Sequence, residues 1–218
     1  MSSETMKTWS YSRWKTYAQC PYKAGQQYVH GVREPSNAAM DRGSANHDMA
    51  QKYVEGTISI IPYELAKFEV QFQTVAKRDD VYCELEWGFA SNWEPCDYAD
   101  GWLRMRLDTF YFKSPDALHV TDYKTGRVYD ENEKQLSLYA LGCFIKFPSI
   151  QKIDADLWYL DHGITRASEF TRDDVPDLLD VWNARVAPML IDTEFVPCPN
   201  QYCRNCYHSH TKHGTCIF

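Results

Sequence analysis

The chain has 218 residues and a net charge of −7, from 23 Lys plus Arg against 30 Asp plus Glu. With 44% hydrophobic and 15% aromatic residues it is too apolar for a disordered chain, and at this length one core is stable without disulfides. The acidic balance gives no support to a general polyanion-binding surface. No apolar run approaches the ~20 residues of a membrane span and no signal-peptide pattern opens the chain, so a cytoplasmic protein with no membrane partner is expected.

Ser10 or Ser12 is the N-cap of a first helix that carries Trp14, Tyr17 and Ala18 at helical spacing, and Pro21 perturbs or restarts it. A second helix is predicted over residues 38–54, stopping at Gly56, with Met40, Gly43, His47, Ala50 and Val54 as its buried stripe. Residues 81–90, 101–112 and 117–124 are rich in β-branched and aromatic side chains and read as strands. A helix follows over 132–147, with Leu136, Tyr139, Ala140, Cys143 and Phe147 on its apolar side. Residues 156–161 read as another strand, and 174–190 as a helix with Pro176 in its first turn. Central strands flanked by helices define an α/β, or mixed α+β, domain, and no repeat or linker divides it.

Residues two apart on a strand share a face. On the strand 117–124, Leu118 and Val120 are followed on the same face by Asp122 and Lys124, which describes a strand leaving the core and opening into a site. Arg104, Arg106 and Asp108 share a face of the preceding strand, and adjacent strands lie about 4.8 Å apart, so Asp108 and Asp122 can meet around one cation. Carboxylates with water and a backbone carbonyl suit Mg²⁺ or Mn²⁺, which would activate water and steady charge on a phosphodiester, with Lys124 assisting. Gln135 and Tyr139 share a helix face that starts near the end of that strand, and His47 interrupts a small, apolar stripe as a third ligand candidate.

These segments taken in order, Gly43-x-x-x-His47, Arg106-x-Asp108, Asp122-Tyr123-Lys124-Thr125-Gly126 and Gln135-x-x-x-Tyr139, resemble the PD-(D/E)XK nucleases of the RecB-like branch. The Cys20-Pro21-Tyr22-Lys23 segment and the Cys203-x-x-Cys206 end resemble its iron–sulfur members, the CRISPR-associated and related phage-encoded exonucleases. The resemblance implies a restriction-endonuclease-like sheet flanked by helices. It implies His47, Asp108, Asp122 and the Tyr123 carbonyl as metal ligands and Lys124 as the catalytic lysine. Gln135 and Tyr139 would support the site or position DNA, and Glu84 aligns too loosely with an upstream acidic position to join the core set.

Eight cysteines are unusual for a reducing compartment, and the crowding of Cys198, Cys203, Cys206 and Cys216 near the C-terminus favours a metal or cluster over disulfides. The resemblance places Cys20, Cys203, Cys206 and Cys216 around a [4Fe–4S] cluster, with segments 9–35 and 197–218 stapled together by it. The spacing from Cys206 to Cys216 is longer than the family commonly shows and contains His208, His210 and His213. Two departures therefore stay open: Cys198 replacing Cys216 or Cys20, and a histidine joining three cysteines around Zn²⁺. Cys83 and Cys143 read as core thiols, and Cys96 receives no role.

An acidic nuclease still needs local cations for phosphates. Arg104 and Arg106 on the Asp108 face, with Arg42 and Arg127 beside their motifs, are the candidate contacts. Tyr11, Trp14 and Tyr17 read as packing residues before base-stacking ones, and no recognition-helix motif supports sequence-specific reading. The expected function is a metal-dependent DNA exonuclease acting on single strands or ends in phage or prokaryotic recombination, in the host cytoplasm if phage-encoded. A CRISPR spacer-acquisition nuclease and a catalytically inactive DNA- or partner-binding module with a structural zinc site are the alternatives.

Overall fold

The computed structural model describes residues 4–210, 212 and 214–218, so His213 lies outside the described residues. Helix α1 (Tyr11–Gln19) starts where the Ser10 hydroxyl accepts the Arg13 N–H at 3.3 Å. Helix α2 (Pro21–Tyr28) restarts at Pro21, whose missing N–H has no partner to lose in a first turn. Helix α3 (Ala38–Val54) is capped by Asn37, which accepts from the amides of Ala39 and Met40. Its first two turns overhang the core, so Met40 is 53% exposed and leaves the expected stripe, while Asn46, Ala50, Tyr53 and Val54 are buried.

Six strands follow: β1 (Val81–Phe89), β2 (Pro95–Cys96), β3 (Leu103–Ser114), β4 (Ala117–Lys124), β5 (Lys152–Tyr159) and β6 (Ile164–Thr171). They form one sheet in the order β2-β1-β3-β4-β5-β6. Neighbours are antiparallel except β4 and β5, whose parallel pairing requires a crossover, supplied by helix α5 (Glu133–Lys146). Helix α4 (Glu69–Ala76) and strand β6 have no counterpart in the sequence reading. The first is eight residues long, and the second is an edge strand with six exposed residues, so neither carries a sustained apolar period.

The sheet separates two apolar clusters. On one side α5, helix α6 (Val175–Ile191) and the N-terminal Trp9 and Trp14 pack with Leu118, Val120, Ile153 and Trp182. On the other side α3 and α4 pack Ala50, Phe72 and Phe68 against Tyr123 and Trp158.

Two local departures from a regular sheet build the site. Pairing of β3 with β4 runs from Ser114↔Ala117 to Thr109↔Thr121, and beyond that pair the strands fork. The Asp108 carboxylate accepts the freed Tyr123 N–H at 2.7 Å, and the Tyr139 hydroxyl from α5 reaches the Arg106 carbonyl at 2.8 Å. Opposite Asp108 on β1, Glu84 has a φ of 52°, a left-handed conformation that costs about 1–3 kcal/mol for a non-glycine residue. The apolar face of β1 switches there: Val81 and Cys83 pack toward α3 and α4, while Leu85, Trp87 and Phe89 pack toward α5, although all five are odd-numbered.

Candidate active site at the strand fork

Backbone geometry delivers the acidic side chains of three strands to the fork. His47, projecting from α3, places Nδ1 3.2 Å from Asp108 Oδ1 and 3.7 Å from Glu84 Oε1. His47 Nε2 faces the Tyr123 carbonyl at 3.1 Å. Among the described residues, His47, Glu84 and Asp108 form the one group of three ligand-type side chains whose atoms all lie within 4.8 Å of each other. Glu84 is the residue that period-2 reasoning could not place, because its strained backbone turns the side chain toward His47. The signal available in sequence was an acid on the strand before Asp108, at a position the family resemblance aligned only loosely.

Asp122 is 1% exposed, and burial, with the nearby Asp108 charge, holds its carboxyl above the usual carboxylate range against the pull of Lys124. Its Oδ2 lies 2.5 Å from Lys124 Nζ but accepts no well-aligned hydrogen bond, so this buried oxygen retains acceptor capacity. Lys124 Nζ also donates to Gln135 Oε1 at 2.7 Å, and Gln135 Nε2 donates to the Tyr139 hydroxyl at 2.5 Å. That hydroxyl lies 3.2 Å from Asp122 Oδ1, closing a ring of Asp122, Lys124, Gln135 and Tyr139 that fixes the ammonium. Burial raises the Tyr139 phenol well above its ordinary value, which keeps it a neutral donor. All seven residues expected at the site, namely His47, Asp108, Asp122, Tyr123, Lys124, Gln135 and Tyr139, converge here.

A buried carboxylate with a free lone pair, a second carboxylate, a glutamate and an imidazole form a donor set that fits a divalent cation. Both His47 nitrogens face acceptors. Burial opposes its charge, but Asp108 and Glu84 overcome that, and the imidazole pKa rises from 6.5 to about 10. Because the folded value is raised, this contribution to apo-protein stability is complete below pH 6.5 and is lost as pH rises through about 10. A cation competes with that proton, so Mn²⁺ uptake at pH 8 is expected to release about one proton. Titration calorimetry in two buffers of different ionisation enthalpy should give different heats, and equal heats would contradict it.

The arginines divide. Arg106 Nε pairs with Glu84 Oε2 at 2.6 Å, and Arg127 lines the cavity beside Lys124. Arg104 donates to the Ala99 carbonyl and sits 5.7 Å from the Tyr98 ring. Arg42 is held in a two-pronged pair with Asp161 at 2.8 and 2.7 Å, and Asp161 also accepts the Gly126 N–H at 2.6 Å. Arg42 therefore braces the turn after Lys124.

The two chain ends meet away from the fork. Asn200 Nδ2 donates to the Gln19 carbonyl at 2.9 Å, and the Tyr22 and Thr215 hydroxyls lie 2.5 Å apart. Between the ends a cavity of about 220 Å³ is lined by Cys20, Cys198, Cys203, Cys206 and Cys216. The Asn200 N–H points at Cys203 Sγ, 3.3 Å away. His208 is buried and His210 lies outside the cavity lining. Cys143 is buried in the core, and Cys83 lies 3.7 Å from the Thr109 hydroxyl, as ordinary packing thiols.

A sheet whose forked strands present two carboxylates and a lysine, backed by a helix bearing Gln and Tyr, is the restriction-endonuclease-like architecture. The chain belongs to the PD-(D/E)XK nuclease superfamily, whose family model matches residues 8–114 and 67–211. The fold is similar to that of a provisionally named exonuclease from Eubacterium rectale, with a TM-score of 0.54 at 12% identity over 94% of this chain and 88% of that one. The crystal structure of LHK-Exo with dAMP gives a TM-score of 0.43 at 14% identity over 84% of this chain and 88% of that one. No curated protein matches the chain. Among the described residues, no helix is long and apolar enough to cross a membrane.

Glu84 is open to direct test. Glu84→Gln is expected to weaken Mn²⁺ binding about tenfold. Glu84→Gly should weaken it equally while holding or raising the melting temperature, because glycine relieves the positive φ. A Glu84→Gly protein that melts lower and binds Mn²⁺ normally would assign Glu84 to structure alone.

Proposed function

We propose that the chain is a Mg²⁺- or Mn²⁺-dependent DNA exonuclease that hydrolyses phosphodiester bonds on single strands or DNA ends, in phage or prokaryotic recombination and DNA processing. The observation that carries this reading is the buried Asp122–Lys124 pair set beside His47, Asp108 and Glu84 at the strand fork. His47, Asp108, Asp122 and the Tyr123 carbonyl would hold the cation, with Glu84 as an added ligand. When bound, it supplies Lewis-acid stabilisation of the phosphoryl charge and an acidified water. The imidazole donor favours Mn²⁺ over the harder Mg²⁺.

The chain's own residues do the rest. Lys124, held by Asp122 and Gln135, presents its ammonium where negative charge grows on the phosphoryl oxygens. Tyr139 and Gln135 prevent that ammonium from swinging away. Arg127 and Arg104 lie in the adjoining cavity, where they can take the flanking phosphates.

At the chain ends, Cys20, Cys203, Cys206 and Cys216 would hold a [4Fe–4S] cluster, with Cys198 a fifth thiol at the same cavity. Anaerobically purified protein is expected to be brown and to carry about four irons, and colourless protein with zinc would sink the cluster.

The function is tested with DNA labelled at either end, single- and double-stranded, incubated with Mg²⁺, Mn²⁺ or EDTA. Cation-dependent loss of label from one end supports the exonuclease reading. Intact DNA under every condition, with the cysteine-bound metal in place, overturns it.

A further inference from the structure

The charges around the fork are segregated, although the chain as a whole is acidic. On the Lys124 side a cavity of about 520 Å³ is lined by Lys15, Arg104, Arg106, Lys124 and Arg127, with no Asp or Glu among its lining residues. On the His47 side, the lining residues include Asp48, Glu84 and Asp108, with Arg106 at the boundary lining both. The basic cavity continues into a second one of about 630 Å³, the two sharing Tyr11, Lys15 and Tyr129. The second cavity reaches Tyr202 and ends at Cys198, Asn200 and Gln201, residues that also line the cysteine cavity.

Face geometry explains the floor of this groove. Tyr11, Lys15, Ala18 and Gln19 lie three and four apart on one side of α1, and Tyr11 and Trp14 are buried against Trp182. That fixes the helix while leaving Lys15 half-buried, its Nζ 2.8 Å from Asn132 Oδ1, 5.8 Å from the Tyr129 ring and 3.8 Å from Glu131 Oε1, a weak pair with the second cavity's one lining carboxylate that a phosphate would displace. Tyr129 and Tyr202 are 42% and 44% exposed, and neither ring is needed to fill the core. Lys134 adds a cation, 5.7 Å from the Trp14 ring.

Alternating cations and open aromatic rings along a trough suit an unpaired polynucleotide, whose phosphates and bases are both accessible. A duplex hides its base faces and has no use for the rings. We propose that a single strand of the substrate lies in this groove, from Lys124 over α1 to the cysteine-rich end. Lys15 and Lys134 would take its phosphates, and Tyr129 and Tyr202 would stack its bases. This assignment rests on the nuclease reading for the identity of the polymer, and it makes the cysteine lobe part of the substrate site.

The test is equilibrium binding of fluorescent oligothymidylates of roughly 4 to 16 nucleotides to full-length protein without divalent cation, so that nothing is cut. Affinity should rise with length. Tyr129→Ala and Tyr202→Ala should each weaken binding about tenfold without changing its salt dependence, and Tyr129→Trp should restore it. Lys15→Ala should cut the salt slope by about 0.7. Lys134→Ala gives the same reading if loss of the Asn132 contact unfolds Lys15→Ala.

Folded tyrosine variants that bind as wild type would overturn the groove, as would a duplex competitor as strong as the single strand, or wild type that does not bind. Hydrolysis of bis(p-nitrophenyl) phosphate with Mn²⁺ judges the chemistry separately. Its absence alongside length-dependent binding sinks the nuclease reading and leaves the groove standing.

Discussion

Replacing Lys124 with Met, or Asp122 with Asn, is expected to lower DNA cleavage by about 10³-fold or more while leaving the protein folded. The expectation follows from burial. Asp122 is 1% exposed and Lys124 is its ion-pair partner at 2.5 Å, so each variant breaks a buried pair at the fork. The two variants should nevertheless differ. Lys124→Met removes a cation and leaves the donors on His47, Glu84 and Asp108, so Mn²⁺ binding should persist as turnover disappears. Asp122→Asn removes a ligand and should weaken both. Single-turnover cleavage beside Mn²⁺ titration separates these effects, and a Lys124→Met protein with wild-type turnover would remove the lysine from the mechanism.

Trp182→Ala should be the most destabilising single substitution outside the site. The indole is fully buried, stacks on Trp9 with ring centroids 5.9 Å apart, meets Trp14 edge-on at 5.2 Å, and donates from Nε1 to the Ser137 hydroxyl at 3.1 Å. It therefore joins α6, α5 and the N-terminal helix in one contact set. Truncating a buried tryptophan costs about 3–5 kcal/mol. For a chain of this length that lowers the melting temperature by roughly 6–20 °C. A scan in which Trp182→Ala melts within a degree or two of wild type would show that the N-terminal helix contributes little to the fold. Because α1 floors the proposed groove, the same variant should also lose oligonucleotide affinity.

The parts legible in sequence are those governed by local rules. Ser10, Pro21 and Gly56 mark helix ends through capping and backbone freedom, and β4 begins and ends where its composition says. The Asp122–Lys124 spacing reads directly because β4 stays regular to its end, and the Gln135–Tyr139 spacing because α5 is an unbroken helix. What sequence hides is set by tertiary context. Glu84 enters the site through a left-handed backbone that no alternation pattern contains. Met40 leaves the stripe because α3 overhangs the core, a matter of where the sheet ends. Arg42 looks like a free cation until Asp161, 119 residues later, is seen to hold it. Lys15, Tyr129 and Tyr202 are unremarkable in sequence and share a groove only once the chain is folded.

If the β3–β4 fork is the cation site of a hydrolytic enzyme, anomalous diffraction from a crystal soaked in Mn²⁺ will show it. A peak is expected bounded by His47, Asp108 and Asp122, with Glu84 adjoining and the Lys124 ammonium facing it. A fork without manganese in a protein that cuts DNA only with manganese, or a peak elsewhere in the chain, would contradict it.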